Sequence, residues 1–250
     1  YVQTNREILV KSFGLVGTAT RSRIGLQTGI KKDAYLNYLD LSAVFQDGSS
    51  CAFNPLDSIT LSQREISTAA IKVDGQICPE TLLGKYAEYL VRINATENDL
   101  PFEQYIVDTL IAQINKGIEK LIWVGNTGGS PADLINGFLT QFGSDSSVIT
   151  ATLTSVADAY TAVKTVYFAM PEETLEKGGL IFVDPAIFRA LVNDLVVLNY
   201  YHYDMGNSFL EEILLPGTDV KVVKTPGLAS TKAIVGTFGE NLVYGCDMEN

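Results

Sequence analysis

The chain has 250 residues, of which 46% are hydrophobic and 19% charged, enough for a sizeable core and outside the range of disordered chains. Its formal net charge of −11, from 29 acidic and 18 basic residues, argues against a direct nucleic-acid binder, because the densest basic groups are only Arg21-Ser22-Arg23 and Lys31-Lys32. No unbroken apolar stretch approaches the roughly 18 residues of a membrane helix, so no membrane partner is expected, and Cys51, Cys78 and Cys246, odd in number and without a CxxC pair, speak against a disulfide framework or a zinc site.

The first third reads mainly as β structure. Ile8 to Val16 and Ala34 to Phe45 are rich in Leu, Val, Tyr and Phe, and Asp47-Gly48 follows as a turn dipeptide. A second β stretch is predicted from Ile59 to Val73, closed by Asp74-Gly75. Gln63, Arg64, Glu65, Ser67 and Thr68 interrupt its apolar residues, so one face should be solvated. A polar two-stranded arm of this kind buries too little area to be stable alone and needs a neighbour to lie on.

The strongest helical signal starts at Asp99-Leu100-Pro101 and runs to about Val124. Asp99 suits an N-cap, and a proline in the first turn gives up only an amide that has no intrahelical partner. Phe102, Tyr105, Ile106, Leu110, Ile114, Ile118, Leu121 and Ile122 make one apolar stripe, expected to face the domain's own sheet. Glu103, Asp108, Gln113, Lys116, Glu119 and Lys120 fill much of the remaining surface. About 25 residues at a rise of about 1.5 Å give a rod about 37 Å long, which is long for a domain of this size. Gly125 ends it.

Asn126 to Pro131 forms a Gly-rich turn, followed by Leu134 to Phe142. A helix over about Val156 to Met170 stops at Pro171, and a short buried strand, Leu180 to Val183, leads into a helix opened by Asp184-Pro185. After the Tyr-rich segment Asn199 to Met205, strands are predicted at Glu211 to Leu215, Val220 to Val223, Ala233 to Thr237 and Leu242 to Tyr244. Pro216-Gly217, Pro226-Gly227 and Gly239 punctuate them. The elements are mixed without regular βαβ alternation, so the fold class is α+β.

Chemistry is scarce. The one histidine, His202, sits among Tyr200, Tyr201 and Tyr203 with no Ser or Cys motif, and reads as part of a packed aromatic cluster, not of a nucleophilic triad. Gly125-Asn126-Thr127-Gly128-Gly129 lacks the Lys-Ser/Thr of a phosphate loop and follows a helix, so a helix stop with a tight turn accounts for it better. No EF-hand loop, HExxH pair or clustered carboxylate motif occurs. No catalytic, cofactor-binding or metal-ligating residue is nominated, no cofactor is expected, and the chain is expected not to be an enzyme.

The order of segments nevertheless resembles a known family. Ile118-Glu119-Lys120-Leu121-Ile122-Trp123-Val124-Gly125-Asn126-Thr127-Gly128-Gly129 followed by Asn136-Gly137-Phe138-Leu139 is similar to the helix, turn and short segment of tailed-bacteriophage major capsid proteins, the Hong Kong 97-like fold. Gly178-Gly179-Leu180-Ile181-Phe182-Val183-Asp184-Pro185, with Leu191 to Val197 after it, resembles the family's strand-then-helix. Leu214-Leu215-Pro216-Gly217-Thr218-Asp219-Val220 with Thr225-Pro226-Gly227-Leu228 resembles its hairpin, and Ala233-Ile234-Val235-Gly236-Thr237-Phe238 with Leu242-Val243-Tyr244-Gly245 its return strand.

The resemblance implies an α+β capsid fold: an N-terminal segment over 1–23, an extended β-hairpin arm over 24–86, a peripheral domain with a long spine helix over 87–149, an axial domain over 150–238, and a return toward the peripheral domain over 239–250. It implies a structural subunit that self-assembles into the pentamers and hexamers of an icosahedral shell, made in the bacterial host cytoplasm and ending in the virion capsid. The partners it implies are other copies of the chain, a scaffold, a portal and a maturation protease, with packaged DNA touched only non-specifically. Encapsulins, shell proteins that enclose cargo enzymes, share the fold and form a second reading; a small α+β enzyme or ligand-binding domain is a remote third.

Two departures qualify the match. The family continues past the return strand with strands that complete the peripheral sheet, whereas this chain runs from Tyr1 to Asn250, so a trimmed product or part of a longer one is expected. Some members cross-link an arm lysine to a C-terminal asparagine; Lys72 is a conceivable donor, but the acceptor region has no counterpart here, and the chemistry is not carried over.

Overall fold

The computed structural model describes residues 23–41, 45, 59–71, 73, 102–128, 134–150, 158–198 and 211–247. In chain order the elements are strands β1 (Gly25–Gln27), β2 (Asp33–Leu41) and β3 (Ile59–Ser67), then helices α1 (Phe102–Val124), α2 (Phe138–Ser144), α3 (Ala159–Ala169) and α4 (Glu172–Glu176). They continue with β4 (Gly179–Val183), α5 (Pro185–Val197), β5 (Glu212–Leu214), β6 (Lys221–Lys224), β7 (Ile234–Phe238) and β8 (Val243–Gly245), and 3-10 turns lie at Pro226–Leu228 and Gly239–Asn241. The fold is mixed α+β. Two units divide it: Tyr1–Gly25 with Ile71–Val243, and Leu26–Ala70 with Tyr244–Asn250.

The larger unit is built on a four-stranded sheet of order β5-β6-β4-β7. β6 runs parallel to β4, and the two outer pairings are antiparallel. A parallel neighbour requires a crossover, and α5 lies within the connection that supplies it. Leu180 to Val183 is apolar at every position because both faces are covered. Ile181 and Val183 share one face with Val222 and Ile213, and there they join Ala159 and Val163 of α3 and Ile187, Phe188, Leu191 and Leu195 of α5 in one core. Phe182 alternates to the other face, where its ring lies 5.1 Å from that of Trp123. Trp123 also meets Phe138 of α2 edge-on at 5.4 Å. Helices, sheet and the end of α1 thus stack as layers with Phe182 and Trp123, both 0% exposed, at one of the two interfaces.

Carboxylates lock these layers. Asp184 caps α5 by accepting from the Ala186 amide at 2.8 Å, and its other oxygen accepts from the Lys232 amide at 2.9 Å. That second bond holds a turn in which Ser230 and Lys232 have φ of 68° and 56°, a region that costs a residue with a Cβ about 1 kcal/mol or more. Asp158 caps α3 through the Tyr160 and Thr161 amides. Asp194, on α5, accepts from the amides of Ala159 and Tyr160 at 2.8 and 3.2 Å, so the two helices share one terminus's hydrogen bonds.

Several expectations change. The second β stretch ends at Ser67 instead of Val73, since its ladder partner β2 begins at Asp33. The short helix α4 and both 3-10 turns were not foreseen. The apolar stripe of α1 does not face a sheet along its whole length: Leu110 is 45% exposed, while Glu119, assigned to the polar side, is buried beside Ile118, Ile122 and Trp123. The reason is the shape of what packs there. The 3-10 turn Pro226–Leu228 presses on the last turns of α1 so closely that a Cβ on Gly227 would stand 2.4 Å from Trp123 Cδ1 and 2.6 Å from the Glu119 carbonyl oxygen. That contact rotates the buried face toward Glu119 and Trp123. The expected strand Ile8 to Val16, the Asp99 cap and the turns at Asp47-Gly48 and Asp74-Gly75 lie outside the described residues.

Candidate assembly surface

The smaller unit is dominated by a hairpin. β2 and β3 pair antiparallel without a bulge, from Asp33 opposite Ser67 to Leu41 opposite Ile59. Alternation puts Tyr35, Asn37 and Leu39 with Leu61, Gln63 and Glu65 on one face, and Ala34, Leu36 and Tyr38 with Ser62, Arg64 and Ile66 on the other. The base of the second face is covered: a Cβ on Gly245 of β8 would stand 2.7 Å from Ile30 Cδ1 and 2.8 Å from Ile66 Cγ2. Backbone bonds tie this base down, from the Cys246 amide to the Gln27 carbonyl at 3.0 Å and from the Ile30 amide to the Cys246 carbonyl at 3.2 Å.

Away from the base, apolar side chains stand in solvent on both faces. Tyr35 and Tyr38 are each 61% exposed, Leu39 52% and Leu61 62%. Leu39 and Leu61 are direct cross-strand partners, so the contact each could make within the hairpin is already made and most of their surface remains uncovered. The sequence led us to expect one solvated face: Tyr35, Asn37, Leu39, Leu61, Gln63 and Glu65 are all exposed, whereas on the other face Ala34, Leu36 and Ile66 are partly covered and Tyr38 stands in solvent. The larger unit carries an exposed apolar stretch at the end of α5, where Val196, Val197 and Leu198 are 54%, 75% and 45% exposed.

The Gly-rich turn after α1 is structural. The Gly137 amide and the Thr140 hydroxyl donate to the Gly125 carbonyl at 2.8 and 2.7 Å. Thr127 donates its amide and hydroxyl to Asn136 Oδ1, and the Gly128 amide donates to Asn126 Oδ1. Those turn amides are spent on carboxamides and are not arranged round a phosphate. His202 and Lys72 lie outside the described residues, and among the described residues no group of three or more His, Cys, Asp or Glu gathers as a metal site would require. No described helix is long and apolar enough to cross a membrane.

One ion-pair cluster escaped the sequence reading. Arg23 donates to Glu212 Oε2, and Lys221 donates to Glu212 Oε1 at 3.3 Å across the β5–β6 pair. The hydrogen bond from Arg23 holds the Glu212 carboxyl below the usual glutamate range; burial opposes that shift, and Lys221 assists it. Arg23 and Glu212 are 189 residues apart, and nothing in local sequence announces the pair.

No protein-family model and no curated protein matches the chain. Among solved structures, the capsid structure of the cyanophage P-SCSP1u shares 13% sequence identity at a TM-score of 0.35, over 82% of this chain and 62% of that one. The chain therefore spans less than two thirds of the length of the structure it matches, and a TM-score of this size assigns no fold.

Proposed function

We propose that the chain is a structural shell subunit of a tailed phage or prophage, assembling with copies of itself into pentamers and hexamers round DNA, with no turnover chemistry. The observation that carries this reading is the hairpin: nine paired residues per strand with Tyr35, Tyr38, Leu39 and Leu61 more than half exposed on its two faces. A two-stranded ribbon is marginal in water on its own, and exposed apolar side chains on both faces mark a surface that another molecule covers. The order of motifs from Ile118 to Gly245 that resembles the capsid family supports the same reading from sequence. The exposed stretch at Val196, Val197 and Leu198 supplies a second surface for contacts between copies. A net charge of −11 suits a wall that encloses DNA without adhering to it.

Hydrogen exchange tests the proposal. In dilute protein the amides of β2 and β3 should exchange far faster than those of β4 and β6, and association should slow the hairpin amides while leaving the sheet unchanged. Strong protection of the hairpin in a verified monomer would remove the ground for an intersubunit arm.

A further inference from the structure

The hydrogen-bond phase of the hairpin shows which backbone groups face outward. The Thr68 amide donates to the Lys32 carbonyl at 2.9 Å, and these residues are the next opposed pair below Asp33 and Ser67, so Lys32 and Thr68 form a hydrogen-bonded pair. Such pairs alternate with non-hydrogen-bonded ones along an antiparallel ladder. Ala34, Leu36 and Tyr38 therefore turn their backbone groups toward β3, and Asp33, Tyr35, Asn37 and Leu39 turn theirs away. Among the described residues β2 pairs only with β3. No strand among the described residues pairs with its outer edge, so that edge offers a row of amides and carbonyls that templates the addition of another strand.

The sequence of β2 specifies the strand that fits. Asp33–Leu41 reads DAYLNYLDL, whose centre, Tyr35 to Leu39, is matched about Asn37. Two copies laid antiparallel along this edge, with a two-fold axis at Asn37, bring outward groups to outward groups. Tyr35 then opposes Leu39 of the second copy on one face, and Leu36 opposes Tyr38 of the second copy on the other, each contact occurring twice. Every aromatic residue of the strand meets a leucine, so apolar side chains cover one another across the junction, and no charge falls opposite a like charge. The outer edge of β3 has no such property: about Gln63, Leu61 opposes Glu65 and Ser62 opposes Arg64. We infer that β2 pairs with β2 of a second copy of this chain across a two-fold axis at Asn37. The inference deepens the shell proposal and rests on it for the presence of many copies. One strand edge covers less than the roughly 800 Å² per partner of a stable dimer, so the contact is weak alone and gains strength from the others made in an assembly.

Cysteine cross-linking tests it in the full chain. With Cys51, Cys78 and Cys246 replaced by serine, and assembly of that parent confirmed by light scattering, Asn37→Cys and Gln63→Cys are compared under mild oxidation. Asn37 opposite its symmetry mate forms a hydrogen-bonded pair with Cα atoms about 5.5 Å apart, inside the range a disulfide spans. The expected result is covalent dimer from Asn37→Cys at least tenfold faster than from Gln63→Cys. In a second measurement, mixed Tyr35→Cys and Leu39→Cys chains should cross-link, and adding Asn37→Pro to both should suppress this at least tenfold. That proline removes an outward amide and leaves the hairpin's own ladder intact. Equal rates at the two edges, or no cross-link at Asn37 in a parent that assembles, would overturn the β2 contact and leave the shell proposal standing. A wild-type chain that never associates would overturn both.

Discussion

Similar side chains meet opposite fates in the two units. Ile181, Phe182 and Val183 of β4 are 0% exposed, whereas Tyr35, Tyr38, Leu39 and Leu61 of the hairpin are more than half exposed. Residue type does not make the difference; the number of layers does. β4 has strands at both edges, helices α3 and α5 on one face and Trp123 on the other, while β2 and β3 form a sheet of two. One unit is stabilised by its own chain. The other leaves Tyr35, Tyr38, Leu39 and Leu61 in solvent, the surface that the shell proposal assigns to a neighbouring copy.

Substitutions should separate the two units sharply. Trp123→Ala empties the interface with Phe138 and Phe182 and should cost about 3–5 kcal/mol in urea unfolding. Asp184→Ala leaves two amides, those of Ala186 and Lys232, without their acceptor and should cost about 2 kcal/mol in the same experiment. Gly227→Ala places a methyl against Trp123 and the Glu119 carbonyl, and since backbone must move to admit it, a loss of about 1–3 kcal/mol is expected. A stability equal to the wild type in any of the three would show that the layer it touches is looser than described. In the hairpin the pattern inverts. Tyr35→Ser with Leu61→Ser should leave unfolding of the monomer within about 0.5 kcal/mol of wild type and abolish association, read by light scattering; a large loss of monomer stability would mean that the arm belongs to the core.

The smallest effect concerns pH. Glu212 is more acidic folded than unfolded, chiefly through the hydrogen bond from Arg23 and against the desolvation of burial. A depressed carboxyl stabilises at pH above its unfolded pKa of about 4.3, and the contribution is lost as pH falls through the lower folded value. Glu212→Gln should therefore cost under about 1 kcal/mol at neutral pH, and the gap to wild type should close as acid carries the pH down through the lowered folded value. A gap that persists unchanged into acid would assign the effect to packing.

Local signals carried most of the element boundaries. Asp184-Pro185 opened α5 and Pro171 followed the end of α3, because a cap and a missing amide act within one turn. The two arms of the hairpin were legible from Tyr, Leu and Ile spacing, with β3 shorter than expected. Burial along α1 was not legible. Periodicity marks a stripe but not how far the packing layer extends, so Leu110 and Glu119 exchanged their expected environments. The Arg23–Glu212 pair and the turn pressed on Trp123 depend on residues far apart in the chain, and no local pattern encodes them. The exposed pairing of Leu39 with Leu61 needed the register, which sequence alone leaves undetermined when the connection is long.

Light scattering of the full chain across a salt series, with electron microscopy of the products, tests the shell proposal most directly. Copies that each carry a charge of −11 repel one another at low salt, and screening over about 10 Å at 0.1 M should bring them together. The account predicts scattering that rises from low to moderate salt and particles that are rings or closed shells, as symmetric association requires. A protein that stays monomeric at every salt and at high concentration would contradict it.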